Sequence, residues 1–145
     1  MDIITTATAS RVHAALLSHD NIHEGLHINS IGGDSPGKTE LHMDLLNRTK
    51  IVVEYLPQSM VEGEIQQFGE ITNVYAELWE IVSNGKKGRE SMDEITLFDS
   101  VGFAIEDFST LRYVYDLANK HGFGVQVDLI PNVDDPKNLF GVLNS

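Results

Sequence analysis

The stretch that decides the fold is Ile31-Gly-Gly-Asp-Ser-Pro-Gly-Lys-Thr-Glu-Leu41. Apolar residues lie on both sides of it, Leu26 and Ile28 before and Leu45 and Leu46 after. A strand that passes through a glycine-rich loop into a helix is the usual place where an α/β protein binds a phosphate or a cofactor. We therefore predict a functional loop here, at the end of a parallel strand.

One interpretation of this loop is a nucleotide-binding P-loop, because residues 32–39 fit the pattern G-x-x-x-x-G-K-[ST]. Asp99, which ends a later apolar run, would then lie near Mg²⁺. Two residues oppose this interpretation. Pro36 removes one of the backbone N–H donors that cradle phosphates, and Asp34 places a negative charge inside an anion site.

The other interpretation makes Asp34 the functional residue. Gly32 and Gly33 allow the backbone to approach a neighbouring group closely, and the loop presents a carboxylate at the end of a strand. If the loop carried no chemistry, Asp34 would simply be an acid at a helix N-terminus, where the helix dipole favours it.

Three stretches, in order, resemble the ornithine cyclodeaminase/mu-crystallin family. They are residues 30–42, which resemble its catalytic loop, residues 61–67 (Val-Glu-Gly-Glu-Ile-Gln-Gln) and residues 96–102 (Thr-Leu-Phe-Asp-Ser-Val-Gly). The resemblance extends over nearly the whole chain, but only to the C-terminal part of the family's enzymes. The sequence contains no G-x-G-x-x-G fingerprint. We therefore expect a fragment, either inactive alone or dependent on a partner chain that carries the N-terminal half.

Strands that alternate with helices predict an α/β fold with a mainly parallel sheet. The resemblance implies that residues 1–101 form the second half of a Rossmann-like NAD-binding domain with flanking helices. Residues 102–145 would then return to the substrate and dimerisation domain as a long helix, a strand and a tail. The complete enzyme is expected to be a homodimer.

The resemblance also implies a reaction and its residues. A hydride passes from the α-carbon of L-ornithine to NAD, the δ-amino group attacks the iminium and expels ammonia, and the hydride returns to give L-proline. Asp34 matches the family's general acid–base, and both Asp34 and Val101 match substrate contacts. Positions that match cofactor contacts are Thr6, Thr8, Ser30, Ile31, Gly32, Gly33, Lys38 and Ser100. Asp34 favours a cyclodeaminase over the family's ketimine reductases, and the choice between ornithine and lysine stays open.

Composition limits the partners. The chain of 145 residues has 10 basic and 22 acidic side chains, a formal net charge of −12, which argues against nucleic acid or an anionic membrane as partner. The absence of cysteine excludes disulfides, thiol nucleophiles and cysteine metal sites. The first residues do not resemble a signal peptide, and no apolar run is long enough to cross a bilayer. We expect a cytoplasmic protein.

Two further clusters allow a functional and a structural interpretation. His19, His23 and His27 are spaced four apart, as metal ligands on one helix face would be, but Gly25 and the following strand pattern interrupt them, and we predict no metal site. Glu62 and Glu64, with Glu54 nearby, suit acid–base work only if their surroundings separate their pKa values. We predict instead a solvated loop over residues 57–68.

The remaining pattern predicts ordinary elements. We expect Thr39 or Ser35 to cap the helix after the central loop, whose buried stripe is Leu41, Leu45 and Leu46. Residues 74–82 read as an amphipathic helix with Trp79 in the core. Residues 103–120 predict the longest helix, with a buried stripe at Ala104, Phe108, Leu111, Tyr115 and Ala118.

Overall fold

The computed structural model describes residues 3–9, 15–69, 73–126, 137 and 140. Its centre is a parallel sheet of five strands in the order β1-β2-β5-β3-β4. The strands are β1 (Ile3–Thr6), β2 (His27–Ser30), β3 (Lys50–Val53), β4 (Val74–Glu77) and β5 (Thr96–Asp99). The predicted α/β class and the parallel sheet are confirmed.

Helices connect the strands, and all but the last are short. They are α1 (Met43–Leu46), α2 (Leu56–Glu62), α3 (Leu78–Val82) and α4 (Ala104–His121), with two 3₁₀ helices, His19–Asn21 and Glu64–Phe68. The chain divides into two compact units, Met1–Glu106 and Asp107–Ser145. The assignment of residues 1–101 to a cofactor domain and of residues 102–145 to a substrate domain stays a prediction.

One face of the sheet is buried, and the strand period explains which side chains lie there. Ile28 and Ser30 of β2 and Leu97 and Asp99 of β5 are buried, whereas the alternate residues of both strands are only partly covered. Each fully buried leucine or isoleucine contributes about 1.5–3 kcal/mol to stability. The core consists of Leu26, Ile28, Leu41, Leu45, Leu46, Ile51, Val53, Ile65 and Leu97.

The helix after the central loop begins later than predicted. The helix α1 begins at Met43, and its cap is His42, whose Nδ1 accepts a hydrogen bond from the Asp44 N–H at 3.2 Å. The predicted caps Thr39 and Ser35 are therefore wrong. The chain stays non-helical before α1 because the N–H groups of Glu40 and Leu41 bond to a distant carboxylate instead of joining a helix. The predicted buried stripe of Leu41, Leu45 and Leu46 is confirmed.

Two other segments differ from their predictions. Residues 57–68 are not a solvated loop, because they form most of α2 and the whole 3₁₀ helix Glu64–Phe68, in which Glu64 and Ile65 are buried. The start of the predicted helix over residues 74–82 is strand β4, paired with β3. Trp79 is 63% exposed, and its indole N–H donates to Glu77 Oε2 at 2.6 Å, so its predicted place in the core is wrong.

The long helix α4 lies within one residue of its predicted bounds, and Gly122 follows it with a φ of +67°. Its predicted stripe is not buried: Phe108, Leu111 and Tyr115 are all exposed. The predicted last strand and the tail fall largely outside the described residues. Within the described part of the chain, no helix has the length and apolar character needed to cross a bilayer.

Candidate functional site at the carboxyl edge of the sheet

Polar side chains replace apolar ones where three neighbouring strands end. Thr6, Ser30 and Asp99 are register partners on β1, β2 and β5, and all three are buried. The Thr6 hydroxyl donates to Ser30 Oγ at 3.2 Å. The loops that follow stay tied to the sheet, because the N–H of Ile31 donates to Thr6 O at 3.0 Å and that of Ser100 to Ser30 O at 2.9 Å. The carboxyl ends of parallel strands are where open α/β sheets place their ligands.

The central loop carries an ion pair at the surface of this edge. Lys38 Nζ lies 2.8 Å from Asp34 Oδ1; the lysine side chain is only 9% exposed, whereas that of Asp34 is 55% exposed. The hydrogen bond from Lys38, reinforced by its charge, holds the pKa of Asp34 below its usual 3.8 despite some desolvation. Asp34 is therefore ionised at neutral pH and accessible to a ligand.

A cleft opens beside this pair. It has a volume of about 500 Å³ and is lined by Ala7, Thr8, Ala9, Asp34, Ser35 and Lys38. That size falls within the range of about 300–1,000 Å³ that small-molecule sites occupy. After β1, Ala7 and Ala9 are exposed and Thr8 is half-buried, and the same cleft contains a cation and a carboxylate. Thr8, Asp34 and Lys38, selected from the sequence as separate positions, thus meet in one cleft.

The two glycines of the loop face carboxylates of the protein itself. A Cβ at Gly32 would overlap the Glu40 carboxylate, and one at Gly33 would lie 3.0 Å from Glu64 Oε1. Both glycines are buried. The sequence predicted that the backbone approaches another group closely at Gly32 and Gly33. In the described chain, that group is a buried carboxylate in both cases.

Glu40 ties the central loop to the segment after β1. Its side chain is fully buried, and Oε1 accepts a hydrogen bond from the Thr8 N–H at 2.5 Å. Burial opposes the charge, but hydrogen bonds from Thr8 and Thr6 and the charge of Lys38 outweigh it. The pKa of Glu40 is therefore below its usual 4.5.

Glu64 is the second carboxylate beneath the loop. Its Oε1 accepts hydrogen bonds from the Glu40 N–H at 2.7 Å and from the Ser30 hydroxyl at 3.1 Å, and its Oε2 accepts one from the Leu41 N–H at 3.1 Å. Burial, with a further contribution from Asp99, raises the pKa of Glu64 to about 7. The predicted solvent exposure of Glu64 is wrong.

Asp99 stabilises the start of the 3₁₀ helix Glu64–Phe68. It accepts hydrogen bonds from the N–H groups of Glu64 at 2.9 Å and Ile65 at 3.1 Å. Burial, with a smaller contribution from Glu54, raises the pKa of Asp99 to about 6. These contacts contradict the P-loop interpretation, in which Asp99 would serve Mg²⁺. That interpretation also requires a helix to begin at the loop lysine, whereas α1 begins at Met43.

A separate turn follows β5. Glu54 accepts hydrogen bonds from the Ser100 hydroxyl at 2.6 Å, the Val101 N–H at 3.1 Å and the Gly102 N–H at 2.9 Å. Ser100 and Val101, the predicted cofactor and substrate contacts, are therefore fixed in position at the same edge of the sheet. They do not line the cleft beside Asp34.

Of the three histidines spaced four apart, the side chains of His23 and His27 are described by the structure, and they have separate partners. His27 lies on β2 and bonds to Thr96 Oγ1 at 2.8 Å and Asn29 Oδ1 at 3.0 Å, while His23 lies in the loop before it and contacts Glu24 O at 2.8 Å. No group of three or more metal-binding side chains occurs among the residues that the structure describes.

Sequence reasoning missed the supporting residues of the site. The sequence analysis gave Glu40 and Gln66 no role and considered Asp99 only as a neighbour of Mg²⁺. One signal pointed to them: Glu40, Gln66 and Asp99 each lie in one of the three stretches that carry the family resemblance. An acid beside a glycine-rich loop is usually solvated, and nothing local distinguishes one that becomes buried.

Comparison with known proteins agrees with this geometry. A sequence model described as the ornithine cyclodeaminase/mu-crystallin family matches residues 1–122. A curated ornithine cyclodeaminase from Brucella suis is 52% identical over 142 residues, which is 98% of this chain and 39% of that protein. An archaeal alanine dehydrogenase dimer with bound NAD superposes with a TM-score of 0.78 and 39% identity, over 89% of this chain and 41% of that chain.

A lysine cyclodeaminase, described with L-lysine, L-ornithine and L-2,4-diaminobutyric acid as ligands, is similar over most of the chain. Its TM-score is 0.76 at 29% identity, over 97% of this chain and 41% of that one. The chain thus spans about two fifths of the length of each of these relatives.

Proposed function

The chain belongs to the ornithine cyclodeaminase/mu-crystallin family, and from this premise we propose that it is the C-terminal part of an NAD-dependent ornithine cyclodeaminase, which converts L-ornithine to L-proline and ammonia. The observation that carries the proposal is the Asp34–Lys38 pair at the mouth of the cleft. The identity of 52% with an ornithine cyclodeaminase over nearly the whole chain supports the choice of reaction.

In this proposal, Asp34 is the catalytic residue and contacts the substrate together with Val101. Its pKa lies below 3.8, so it begins as a carboxylate that can accept a proton from an amino group. The same negative charge stabilises a cation that develops on the substrate carbon and nitrogen. Lys38 keeps the carboxylate ionised before the substrate arrives.

The residues of the cleft fit NAD, which supplies a hydride acceptor next to the substrate carbon when it is bound. Thr8 is half-buried and Ile31 is exposed, whereas Lys38 is largely buried but lines the cleft, where it offers a positive charge to an anionic ligand. Four of the predicted cofactor positions are buried, namely Thr6, Ser30, Gly32 and Gly33. We propose that they determine the shape of the loop that the cofactor would contact. Ser100 would contact the cofactor from the turn after β5. The bound NAD of the alanine dehydrogenase supports this choice of cofactor.

Other activities of the family remain alternatives to this proposal. The relatives include an alanine dehydrogenase and a lysine cyclodeaminase. The chain covers 39% of the ornithine cyclodeaminase that it matches, so activity also depends on residues that the chain does not contain. A homodimeric cytoplasmic enzyme is part of the proposal, as is a partner chain with the remaining segment. The second candidate is that the chain is an inactive fragment of such an enzyme.

Calorimetry with NAD⁺ tests the proposal first. The chain is titrated alone and with L-ornithine, and then together with a polypeptide that supplies the remaining segment of a relative. Binding by the chain alone indicates a usable half-site. Binding only with the added segment indicates a partner-dependent enzyme. A folded chain that binds in neither experiment is the inactive fragment, and the proposed function is then wrong.

Replacement of the catalytic residue tests the chemistry. In any assembly that releases ammonia from L-ornithine, Asp34→Asn should lower turnover by about 10²–10⁴-fold, the usual contribution of a general acid–base, and leave NAD binding nearly unchanged. Turnover is measured as ammonia release from L-ornithine. The alternative activities are tested in the same way with L-lysine and with L-alanine plus NAD⁺. Retained turnover in the variant would remove Asp34 from the mechanism.

A further inference from the structure

The Asp34–Lys38 pair spans a tight turn. The Lys38 N–H donates to Ser35 O at 3.1 Å, and Gly37 has a φ of +79°. Proline at the second position and a glycine with positive φ at the third are typical of a type II turn. The acid lies just before this turn and the lysine is its last residue. The conformation of the turn therefore determines whether Lys38 Nζ reaches Asp34 Oδ1.

One side chain from another part of the fold bonds to this turn on both sides. Gln66 Oε1 accepts a hydrogen bond from the Gly37 N–H at 2.7 Å, and Gln66 Nε2 donates to Lys38 O at 3.1 Å. A carboxamide can do this because it carries an acceptor and a donor on one rigid plane. No other side chain of the described chain makes a hydrogen bond to both Gly37 and Lys38.

The amide itself is held in a fixed orientation. Gln66 Nε2 also lies 2.9 Å from Glu62 O and 2.9 Å from Gly63 O, at the end of α2. Together with Lys38 O, these carbonyl groups surround the NH₂ group, so the acceptor atom Oε1 is the one that faces the Gly37 N–H. The backbone of the same 3₁₀ helix is anchored in turn by Asp99. Gln66 thus connects the 3₁₀ helix, which Asp99 of β5 anchors, to the turn at Gly37 and Lys38.

We propose that Gln66 is the positioning residue of the Asp34–Lys38 pair, acting through the backbone of Gly37 and Lys38. Its functional importance rests on the proposed function, because only there is Asp34 catalytic. Its effect on the conformation of the turn does not rest on the proposed function and can be measured in the chain by itself. Glu64 bonds to the backbone of Glu40 and Leu41, which lie beyond the turn. Gln66 bonds to the turn itself and is therefore the residue that supports the pair.

The chain offers a matched control. Gln58 is half-buried, as Gln66 is, and its Nε2 bonds to Glu62 Oε2 at 3.1 Å and to Gly102 O at 3.0 Å, on a different loop. Gln66→Ala and Gln58→Ala therefore remove the same side chain from similar surroundings. Gln66→Met is a second variant that keeps the length of the side chain without its hydrogen bonds, in case the alanine variant does not fold.

The test follows the Gly37 amide and the Asp34 carboxyl by NMR. In Gln66→Ala and Gln66→Met, hydrogen exchange at Gly37 should accelerate about tenfold, as expected for the loss of one hydrogen bond. The pKa of Asp34 should rise towards its usual 3.8, because Lys38 no longer stays within bonding distance. Gln58→Ala should change neither. Wild-type exchange at Gly37 and an unshifted Asp34 titration in both Gln66 variants would overturn the proposal.

A kinetic arm separates this proposal from the proposed function. In an active assembly, Gln66→Ala should lower kcat with little change in the affinity for NAD. If no assembly binds NAD or turns over L-ornithine, the proposed function fails, while the NMR result still decides the role of Gln66. In an assembly that turns over L-ornithine, an unchanged kcat of Gln66→Ala would contradict the assignment of Gln66 as the positioning residue.

Discussion

The exposed carboxylate of Asp34 differs from two buried carboxylates at the same edge of the sheet, those of Glu64 and Asp99. Asp34 is more than half exposed, is paired with Lys38 and has a lowered pKa. Glu64 and Asp99 are fully buried, accept their hydrogen bonds mainly from backbone N–H groups, and have raised pKa values of about 7 and about 6. Asp34 is therefore available to a ligand, whereas the buried pair is committed to the fold.

This difference shows that a strongly shifted pKa does not by itself identify a catalytic group. The largest shifts here belong to Glu64 and Asp99, whose oxygens are fully occupied by the chain. They hold the loop and the 3₁₀ helix in place. The candidate for chemistry has the smaller shift and the accessible position. The geometry and accessibility of a carboxylate have to be considered before the size of its pKa shift.

The largest expected effect follows from crowding beneath the loop. Gly32→Ala should lower the free energy of unfolding by about 3 kcal/mol, because the new Cβ displaces the buried Glu40 carboxylate from its Thr8 partner. Denaturant unfolding measures it.

Gly37→Ala is the matched control for this substitution. Nothing lies within 4 Å of its Cβ position, so only the strain of a φ of +79° remains, about 1 kcal/mol. Equal losses in the two variants would mean that Glu40 moves aside without cost.

The second effect is a pH dependence with a defined sign. Glu64 has a usual pKa of 4.5 and a folded pKa of about 7, so the folded state retains a proton that the unfolded chain has released between these values. Stability from this group is complete below pH 4.5 and is lost as pH rises to about 7. Relative to Glu64→Gln, the wild type should lose up to about 3 kcal/mol across this window.

Unfolding curves at closely spaced pH values measure this difference. Asp99→Asn should remove a similar dependence at lower pH, between 3.8 and about 6. Parallel curves for the wild type and Glu64→Gln would show that the hydrogen bonds to Glu64 fully compensate its burial.

The smallest expected effect is at Asp34. Asp34→Asn should change the free energy of unfolding by less than about 0.5 kcal/mol, because the pair with Lys38 is largely exposed on the acid's side and is screened by water. The slope of stability between pH 4.5 and 7 should stay that of the wild type. A loss as large as that of Gly32→Ala would move Asp34 from the accessible group into the structural one.

Much of the fold was predictable from local patterns. The strand before the central loop, the leucine stripe after it and the long helix near the end of the chain all lie where the sequence predicted. These predictions succeed because burial follows the periodicity of strands and helices. The errors arose where tertiary contacts override local preference. At Glu40 and Leu41, the backbone bonds to Glu64 instead of continuing the helix.

The sequence by itself determined the parallel α/β class, the glycine-rich loop after β2 and Asp34 as the candidate for chemistry, because these depend on residue types and spacing along the chain. Only the tertiary structure decided that Glu40 and Glu64 lie against Gly32 and Gly33, and that Gln66 supports the turn next to Lys38. These contacts join residues about 8–31 positions apart. Their geometry depends on how the strands assemble, which no local pattern of a single sequence encodes.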